Sequence, residues 1–220
     1  VAWWRFGHKT EIWDREGNMV APIHSAPVAD AVPVMGVTEG PRSISWQPTA
    51  PHTLYWMEAL DGGDPTAKAD FRDRLVIVDA PFSSAPKEIF KAEHRLRGGI
   101  SWFEDGERLM LTQRERMKRR RYVTLVNMEK NTSRLWYELD EDDRYGNPGS
   151  PVYRPLENGY WVLRENKGSV YYRGSGGTDD GDRPFLDLRD IDSGKATRLF
   201  RCDPERYEYF VAFAGDEDHF

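Results

Sequence analysis

The stretch Ser43–Asp79 decides the fold, and it reads SISWQPTAPHTLYWMEALDGGDPTAKADFRDRLVIVD. Apolar and aromatic residues gather in three short runs, around Ile44, at 54–58 and at 75–79, and segments rich in Pro, Gly and Asp separate these runs. Short runs bounded by turn-forming residues are typical of β-strands. The stretch therefore predicts three strands in succession, with no helix between them.

The same pattern returns farther along the chain. The tripeptide at 100–102, ISW, repeats the tripeptide at 44–46, and its Trp102 follows Trp46 by 56 residues. Later inner strands are predicted to begin near Tyr153 and Val211, at spacings of 51 and 58 residues. Because four-stranded propeller blades repeat at roughly 40–50 residues, the chain is predicted to be all-β, as part of a β-propeller whose blades carry slightly long loops.

The predicted blades divide the chain as follows: a half blade at 1–40, blades at 41–97, 98–148 and 149–205, and the start of a next blade at 206–220. Outer hairpins are predicted at 9–23, 76–90, 125–136 and 188–200. This amounts to three or four blades of a disc of seven or eight. Since open edges would expose unpaired strands, we expect the chain to be a piece of a longer protein.

Composition excludes several classes of function. The 220 residues carry 31 basic and 37 acidic side chains, a net charge of −6 that does not suit a general nucleic-acid binder. No run of 18 apolar residues is present, so no membrane span is predicted. Cys202 is the single cysteine, which rules out an internal disulfide and leaves the redox compartment open.

Few residues suggest catalysis or metal binding. A serine nucleophile of the hydrolase type needs Gly-x-Ser-x-Gly, and Ser101, the nearest candidate, lacks the second glycine. The five histidines are scattered without zinc spacing, and the Gly/Asp clusters at 61–64 and 179–182 read as hairpin turns rather than calcium loops. We expect no metal and no cofactor.

The basic run at 114–121, RERMKRRR, is the strongest candidate for a binding site, and it is predicted to join the second and third strands of a blade. One interpretation is a solvated loop. The other is an anion site, because guanidinium groups bind carboxylates through paired hydrogen bonds. Both remain open on the residues alone.

Four stretches together resemble one family, the prolyl oligopeptidase family of serine peptidases, in its glutamyl endopeptidase-like branch. They are GPRSISWQPTAPHTLYWMEALDGGDP at 40–65, GGISW at 98–102, DRYGNPGSP at 143–151 and DRPFLDL at 182–188. The similarity follows the same order across nearly the whole chain, and it covers the propeller half of those enzymes.

The resemblance implies a fuller enzyme in which a propeller caps an α/β-hydrolase domain and admits peptides rather than folded proteins. No triad residue lies in this chain, so alone it is expected to be inactive. The branch is named for cleavage after glutamate, which implies that Arg119, Arg120 and Arg144 meet acidic peptide substrates. Relatives are exported in bacteria or plastid-located in plants, so the compartment stays open between the periplasm or secretion and a plastid.

A second interpretation assigns the chain to interaction proteins instead of enzymes: a free-standing propeller that serves as a protein-interaction scaffold without enzymatic activity. Propellers host many unrelated functions, so the fold alone does not decide between the two. The peptide substrates and the hydrolase domain are the partners that the first interpretation requires.

Overall fold

A computed structural model describes residues 5–215 of the chain. By their internal contacts these residues form two compact units. Unit 1 holds the chain up to Gly98 together with Met128–Ser133, and unit 2 holds Gly99–Asn127 together with the chain from Arg134 onward. Among the described residues there is no α-helix, and every regular element is a β-strand.

The first seven strands belong to unit 1: β1 (His8–Trp13), β2 (Met19–Ala26), β3 (Arg42–Trp46), β4 (Thr53–Ala59), β5 (Asp73–Asp79), β6 (Lys87–Ala92) and β7 (Arg95–Leu96). β1 and β2 form a hairpin, and β3-β4-β5-β6 form a four-stranded antiparallel sheet in chain order. The turn of the hairpin contains Gly17 at φ +85°, a backbone conformation that glycine adopts without steric strain.

The middle strands of this sheet are apolar because neither face meets much water. Residues 53–57 of β4 are all buried, and Leu54 and Trp56 pair with Val78 and Val76 of β5. These four side chains form the core cluster of unit 1. Cross-strand pairs of aromatic and β-branched residues are the main stabilising contacts of such sheets.

The remaining strands are β8 (Ser101–Trp102), β9 (Arg108–Glu115), β10 (Arg120–Asn127), β11 (Thr132–Asp140), β12 (Ser150–Pro151), β13 (Tyr153–Pro155), β14 (Trp161–Leu163), β15 (Glu165–Asn166), β16 (Ser169–Gly174), β17 (Gly177–Thr178), β18 (Gly181–Asp182), β19 (Phe185–Asp190) and β20 (Ala196–Arg201). One sheet of unit 2 contains β8-β9-β10-β11 in chain order, and a second has the order β12-β16-β19-β20. The pairs β13-β14 and β17-β18 are short hairpins.

The two sheets of unit 2 share a core. Phe103, Met110 and Val123 of the first sheet region pack with Leu163 and Tyr172 of the second. Another cluster lies on the opposite face of the second sheet, where Val152, Tyr171, Leu186 and Phe210 are buried together. Each sheet therefore buries apolar side chains against a neighbour, as layered β-folds must.

The fold-class prediction is confirmed: the chain is all-β and is built from antiparallel sheets of successive strands, as in propeller blades. The four predicted hairpins are all paired, as β1-β2, β5-β6, β10-β11 and β19-β20. The blade boundaries at 1–40, 41–97, 98–148, 149–205 and 206–220 stay a prediction.

The prediction of an inner strand near Val211 is wrong: residues 202–215 contain no strand. Contacts with side chains, rather than pairing with a neighbouring strand, hold this segment. Arg173 donates a hydrogen bond to the carbonyl of Val211, and the ring of Phe213 meets the ring of Tyr171 edge to face, with 4.7 Å between ring centroids. The rest of the predicted next blade, 216–220, lies outside the described residues, as do residues 1–4 of the first half blade.

Candidate functional site

The basic run lies where the sequence predicts it, at the turn between β9 and β10, the second and third strands of their sheet. The register pairs Arg120 with Glu115 and Arg121 with Arg114. The turn itself is exposed, and Met117 at its tip shows 83% of its surface to solvent. We refer to residues 114–121 as the basic hairpin.

Two of the three predicted site residues lie on this hairpin. Arg119 donates two hydrogen bonds to the carboxylate of Asp142, each 2.5 Å long. These bonds raise the pKa of Arg119 and lower the pKa of Asp142, so both groups stay charged. Arg120 lies 3.3 Å from a carboxylate oxygen of Glu138 and 3.6 Å from one of Asp140.

The third predicted residue, Arg144, pairs at 2.8 Å with Asp182 of β18. Within residues 5–215 it shares no carboxylate partner with Arg119 or Arg120. Other cations of the hairpin are also paired: Arg114 and Arg121 with Glu141, and Lys118 with Glu115. Every predicted contact for an acidic ligand already has a carboxylate partner.

A cleft of about 780 Å³ lies elsewhere in unit 2. It is lined by Gly99–Ser101, Pro151–Tyr153, Pro155, Trp161, Arg164, Arg173, Phe210–Phe213 and Gly215. Among residues 5–215 the lining includes two arginines and no acidic side chain, in a chain whose net charge is −6. This cleft is called the arginine cleft below.

Arg164 is the buried cation of the arginine cleft. It is 6% exposed, its guanidinium carbon lies 4.0 Å from the ring centroid of Phe213, and it donates a hydrogen bond to the carbonyl of Gly215. Stacking on an aromatic face and bonding to a carbonyl suit a guanidinium group well. Its position is thus fixed by the segment that closes one side of the cleft.

Arg173 is the exposed cation of the arginine cleft, and it lies on β16. Its guanidinium donates to the carbonyl of Val211 at 3.3 Å and forms no ion pair with any residue between 5 and 215. The strand is held closely at this point: a Cβ on Gly149, which has φ +81°, would lie 2.1 Å from the carbonyl oxygen of Arg173. Only glycine allows this approach of β12 to β16.

A hydroxyl pair and an indole complete the cleft. Ser101 Oγ and Tyr153 Oη lie 2.7 Å apart. Burial raises the pKa of Tyr153, against the opposing effect of this hydrogen bond, so the phenol remains protonated at neutral pH. Trp161, 57% exposed, adds an apolar wall. Because the partner of Ser101 is a phenol rather than a general base, the structure offers no means of activating this serine as a nucleophile.

A third arginine group, in unit 1, is structural. Arg95 donates to both carboxylate oxygens of Asp61, at 2.8 and 2.6 Å, and to Asp73 at 2.5 Å. Arg42 also bonds Asp73, and Arg72 bonds Asp61. The carboxylate of Asp61 is therefore used by arginines, and the Gly/Asp loop at 61–64 closes on them rather than presenting a calcium site.

The described part of the chain contains no cluster of three or more His, Cys, Asp or Glu side chains suited to holding a metal ion. In the same residues, no helix is long and apolar enough to cross a membrane. The charge of the two arginines suits the arginine cleft to an anionic group, and no carboxylate or histidine that could serve as a general base lines it among residues 5–215.

Sequence reasoning missed Arg164, Arg173 and Trp161. No run of charge marks the two arginines, which lie nine residues apart, Arg164 between β14 and β15 and Arg173 on β16. The available signal was their position: each follows a run of apolar or aromatic residues, WVL before Arg164 and VYY before Arg173. That pattern alone does not identify a cleft.

Comparison with known proteins supports the resemblance noted in the sequence. The chain is 31% identical over 97% of its length to a probable chloroplastic glutamyl endopeptidase of Oryza sativa subsp. japonica, and 33% identical over 97% to one of Arabidopsis thaliana. It spans 24% and 23% of those two proteins, about a quarter of their length. No family model matches the chain.

Solved structures similar to the chain include TolB from Acinetobacter baumannii, with a TM-score of 0.40 and 12% identity over 88% of this chain and 45% of that one. A prolyl endopeptidase gives a TM-score of 0.43 and 10% identity over 76% of this chain and 23% of that one. At these scores neither likeness identifies a function. The sequence relatives carry the assignment: the chain belongs to the prolyl oligopeptidase family of serine peptidases, in its glutamyl endopeptidase-like branch, as a β-propeller portion.

Proposed function

We propose that this chain is the non-catalytic propeller portion of a serine-type peptidase, and that it gates and positions peptide substrates over an α/β-hydrolase domain of the same parent protein. One observation carries the proposal. The chain is 31–33% identical over 97% of its length to proteins named glutamyl endopeptidase, while spanning only about a quarter of each. The remaining three quarters leave room for a catalytic domain.

The all-β architecture suits a gating role. Sheets whose central strands are buried on both faces hold their loops in fixed positions, and closure of such a unit over an active site would exclude water and oversized substrates. Residues 1–220 contain no Gly-x-Ser-x-Gly motif, so the catalytic serine has to come from the rest of the parent protein.

Arg119, Arg120 and Arg144 are proposed as contacts for acidic peptides, by exchange of partners. A substrate carboxylate would have to displace Asp142 from Arg119, Asp140 or Glu138 from Arg120, and Asp182 from Arg144. Exposed ion pairs are worth only about 0–1 kcal/mol, so exchange is feasible. The net gain is small, because each new ion pair replaces an existing one.

The proposal is tested on the full-length parent protein with a matched pair of substrates. A short peptide and the same sequence displayed in a loop of a folded domain are assayed together, and the protein is treated with a fluorophosphonate probe. We expect covalent labelling, hydrolysis of the free peptide and resistance of the folded substrate. Equal cleavage of both would contradict gating. Absence of both labelling and hydrolysis would contradict the peptidase assignment and favour the interaction scaffold.

A further inference from the structure

We propose that the arginine cleft of unit 2 binds the carboxylate of a peptide, with Arg173 as the charged contact and Trp161 as the apolar wall. The peptide nature of the ligand rests on the proposed function. The location and the charge of the site rest on the structure of unit 2 alone.

The charge of the lining indicates an anion. In an acidic chain, two arginines line a cleft to which the described residues, 5–215, contribute no Asp or Glu. A guanidinium group has five N–H donors in a fixed planar fork. Arg173 uses them for one hydrogen bond within the described residues, to the carbonyl of Val211, so most of its donors can serve a ligand. A carboxylate accepts two such donors side by side.

Arg164 strengthens the field at this site without having to contact the ligand. Its guanidinium is buried and held by Phe213 and by the carbonyl of Gly215. A fixed positive charge next to a low-dielectric wall attracts an anion more strongly than the same charge in bulk water. Arg164 is therefore a positioning residue for the anion, and Arg173 is the direct contact.

The remaining lining suits the rest of a peptide. A volume of about 780 Å³ lies within the range of small-molecule and peptide pockets, roughly 300–1,000 Å³. The indole of Trp161 and the side chain of Val211, 57% and 71% exposed, present apolar surface to the cleft. The protonated hydroxyl of Tyr153 offers a neutral hydrogen-bonding group beside them. The cleft therefore fits a carboxylate that has an apolar neighbour.

A peptide can supply this carboxylate from two sources, an acidic side chain or its free C-terminus. Four fluorescein-labelled peptides of one scaffold separate them: a Glu or a Gln at the central position, each with either an amidated or a free C-terminus. Binding to the full-length protein is followed by fluorescence anisotropy immediately after mixing, and mass spectrometry of the same samples measures how much peptide is still intact.

We expect at least one carboxylate-bearing peptide to bind about tenfold more tightly than the Gln amide, because one charge-assisted pair is gained. Arg173→Gln should abolish that preference and Arg173→Lys should retain part of it. Arg201→Gln, which removes an equally exposed arginine outside the cleft, should leave it unchanged. Trp161→Ala should weaken all four peptides by a similar factor.

Two results would overturn the proposal: a carboxylate preference that persists in Arg173→Gln, or no binding of any of the four peptides. The peptidase assignment is read separately, from hydrolysis of any of the four peptides by the same preparation. If the peptides are hydrolysed and the preference for a carboxylate persists in Arg173→Gln, only the proposed binding site in the cleft is rejected. If the preference depends on Arg173 but no peptide is hydrolysed, the peptidase assignment is rejected and the binding site in the cleft is retained.

Discussion

The basic hairpin and the arginine cleft are both cationic parts of unit 2, and they differ in what surrounds the cations. The hairpin concentrates six basic residues within 114–121, and four of them pair with carboxylates at 138–142. The cleft has two arginines, Arg164 and Arg173, and residues 5–215 contribute no carboxylate to its lining. The hairpin is therefore prominent in the sequence, but most of its charges are paired in the structure. The cleft is inconspicuous in the sequence, and its exposed arginine has no carboxylate partner among the described residues.

This difference shows that a run of basic residues in a β-protein can indicate ion pairs with a neighbouring strand rather than a binding site. Adjacent antiparallel strands place side chains opposite one another at about 4.5–5.5 Å, so a basic strand is stabilised by acidic neighbours on the next one. β10 and β11 follow this rule, because Arg120 of β10 lies between Glu138 and Asp140 of β11. A ligand gains more from an arginine that has no carboxylate to give up, and Arg173 is such a residue.

The largest expected effect is a loss of stability, and it tests whether an arginine paired with buried carboxylates serves mainly to stabilise the fold. Arg95 in unit 1 is paired with Asp61 and Asp73, whose side chains are fully buried. Arg95→Ala would leave two buried carboxylates short of a partner and should destabilise the protein by about 3–5 kcal/mol. Urea titration of the full-length protein, followed by tryptophan fluorescence, measures the shift against the parent.

Arg173→Gln is the matched control, because it removes an arginine that has no carboxylate partner among residues 5–215. Its unfolding free energy should stay within about 0.5 kcal/mol of the parent. Equal destabilisation by the two variants would show that pairing does not separate structural from functional arginines here.

The next effect reverses the charge of the cleft. Arg173→Glu should lower kcat/KM for a Glu-containing peptide relative to its Gln counterpart by about a hundredfold, through loss of attraction and added repulsion. The measurement is competitive hydrolysis of the two peptides by the full-length enzyme. Glu introduced at Arg201 serves as the control for net charge, and an equal change there would assign the effect to the overall field instead of the cleft.

A smaller effect is expected when an arginine of the basic hairpin loses its carboxylate partner and so becomes similar to Arg173 of the cleft. Asp142→Asn removes the carboxylate that holds Arg119 through two hydrogen bonds. The released guanidinium should increase the affinity for acidic peptides about two- to fivefold at low salt, and screening should abolish the gain at high salt. Anisotropy with the Glu and Gln peptides measures it. Asp180→Asn removes one exposed negative charge elsewhere and should change neither affinity.

Local sequence patterns predicted most of the strands correctly. The repeat of residues 44–46 at 100–102 marks the starts of two sheets, and Gly17 marks the turn of the first hairpin, because strand alternation and turn chemistry act over a few residues. The prediction of a strand near Val211 was wrong, because distant contacts rather than local patterns determine the conformation of that segment. Val211 is bonded by Arg173, 38 positions earlier, and Phe213 packs on Tyr171, 42 positions earlier.

The candidate site was less predictable than the fold. The basic run and the family resemblance together indicated Arg119, Arg120 and Arg144, but the sequence contained no indication of which acidic residues would pair with them. Arg164 and Arg173 became a site only because β12–β16 pairing and the segment 210–215 place them in one cleft. Convergence of distant residues depends on tertiary structure, which a single sequence does not reveal at the level of side chains.

The smallest effect concerns the residues that the sequence singled out. Arg119→Gln combined with Arg120→Gln should raise KM for Glu-containing peptides about twofold and leave neutral peptides unchanged, because each arginine exchanges one carboxylate for another at little net gain. Steady-state kinetics of the full-length enzyme measure both substrates, with Arg201→Gln as the control. An increase of tenfold or more, with Arg173→Gln without effect, would invert the comparison: the paired hairpin would then be the place where acidic peptides bind, and Asp142 would act as a competitor that the substrate displaces.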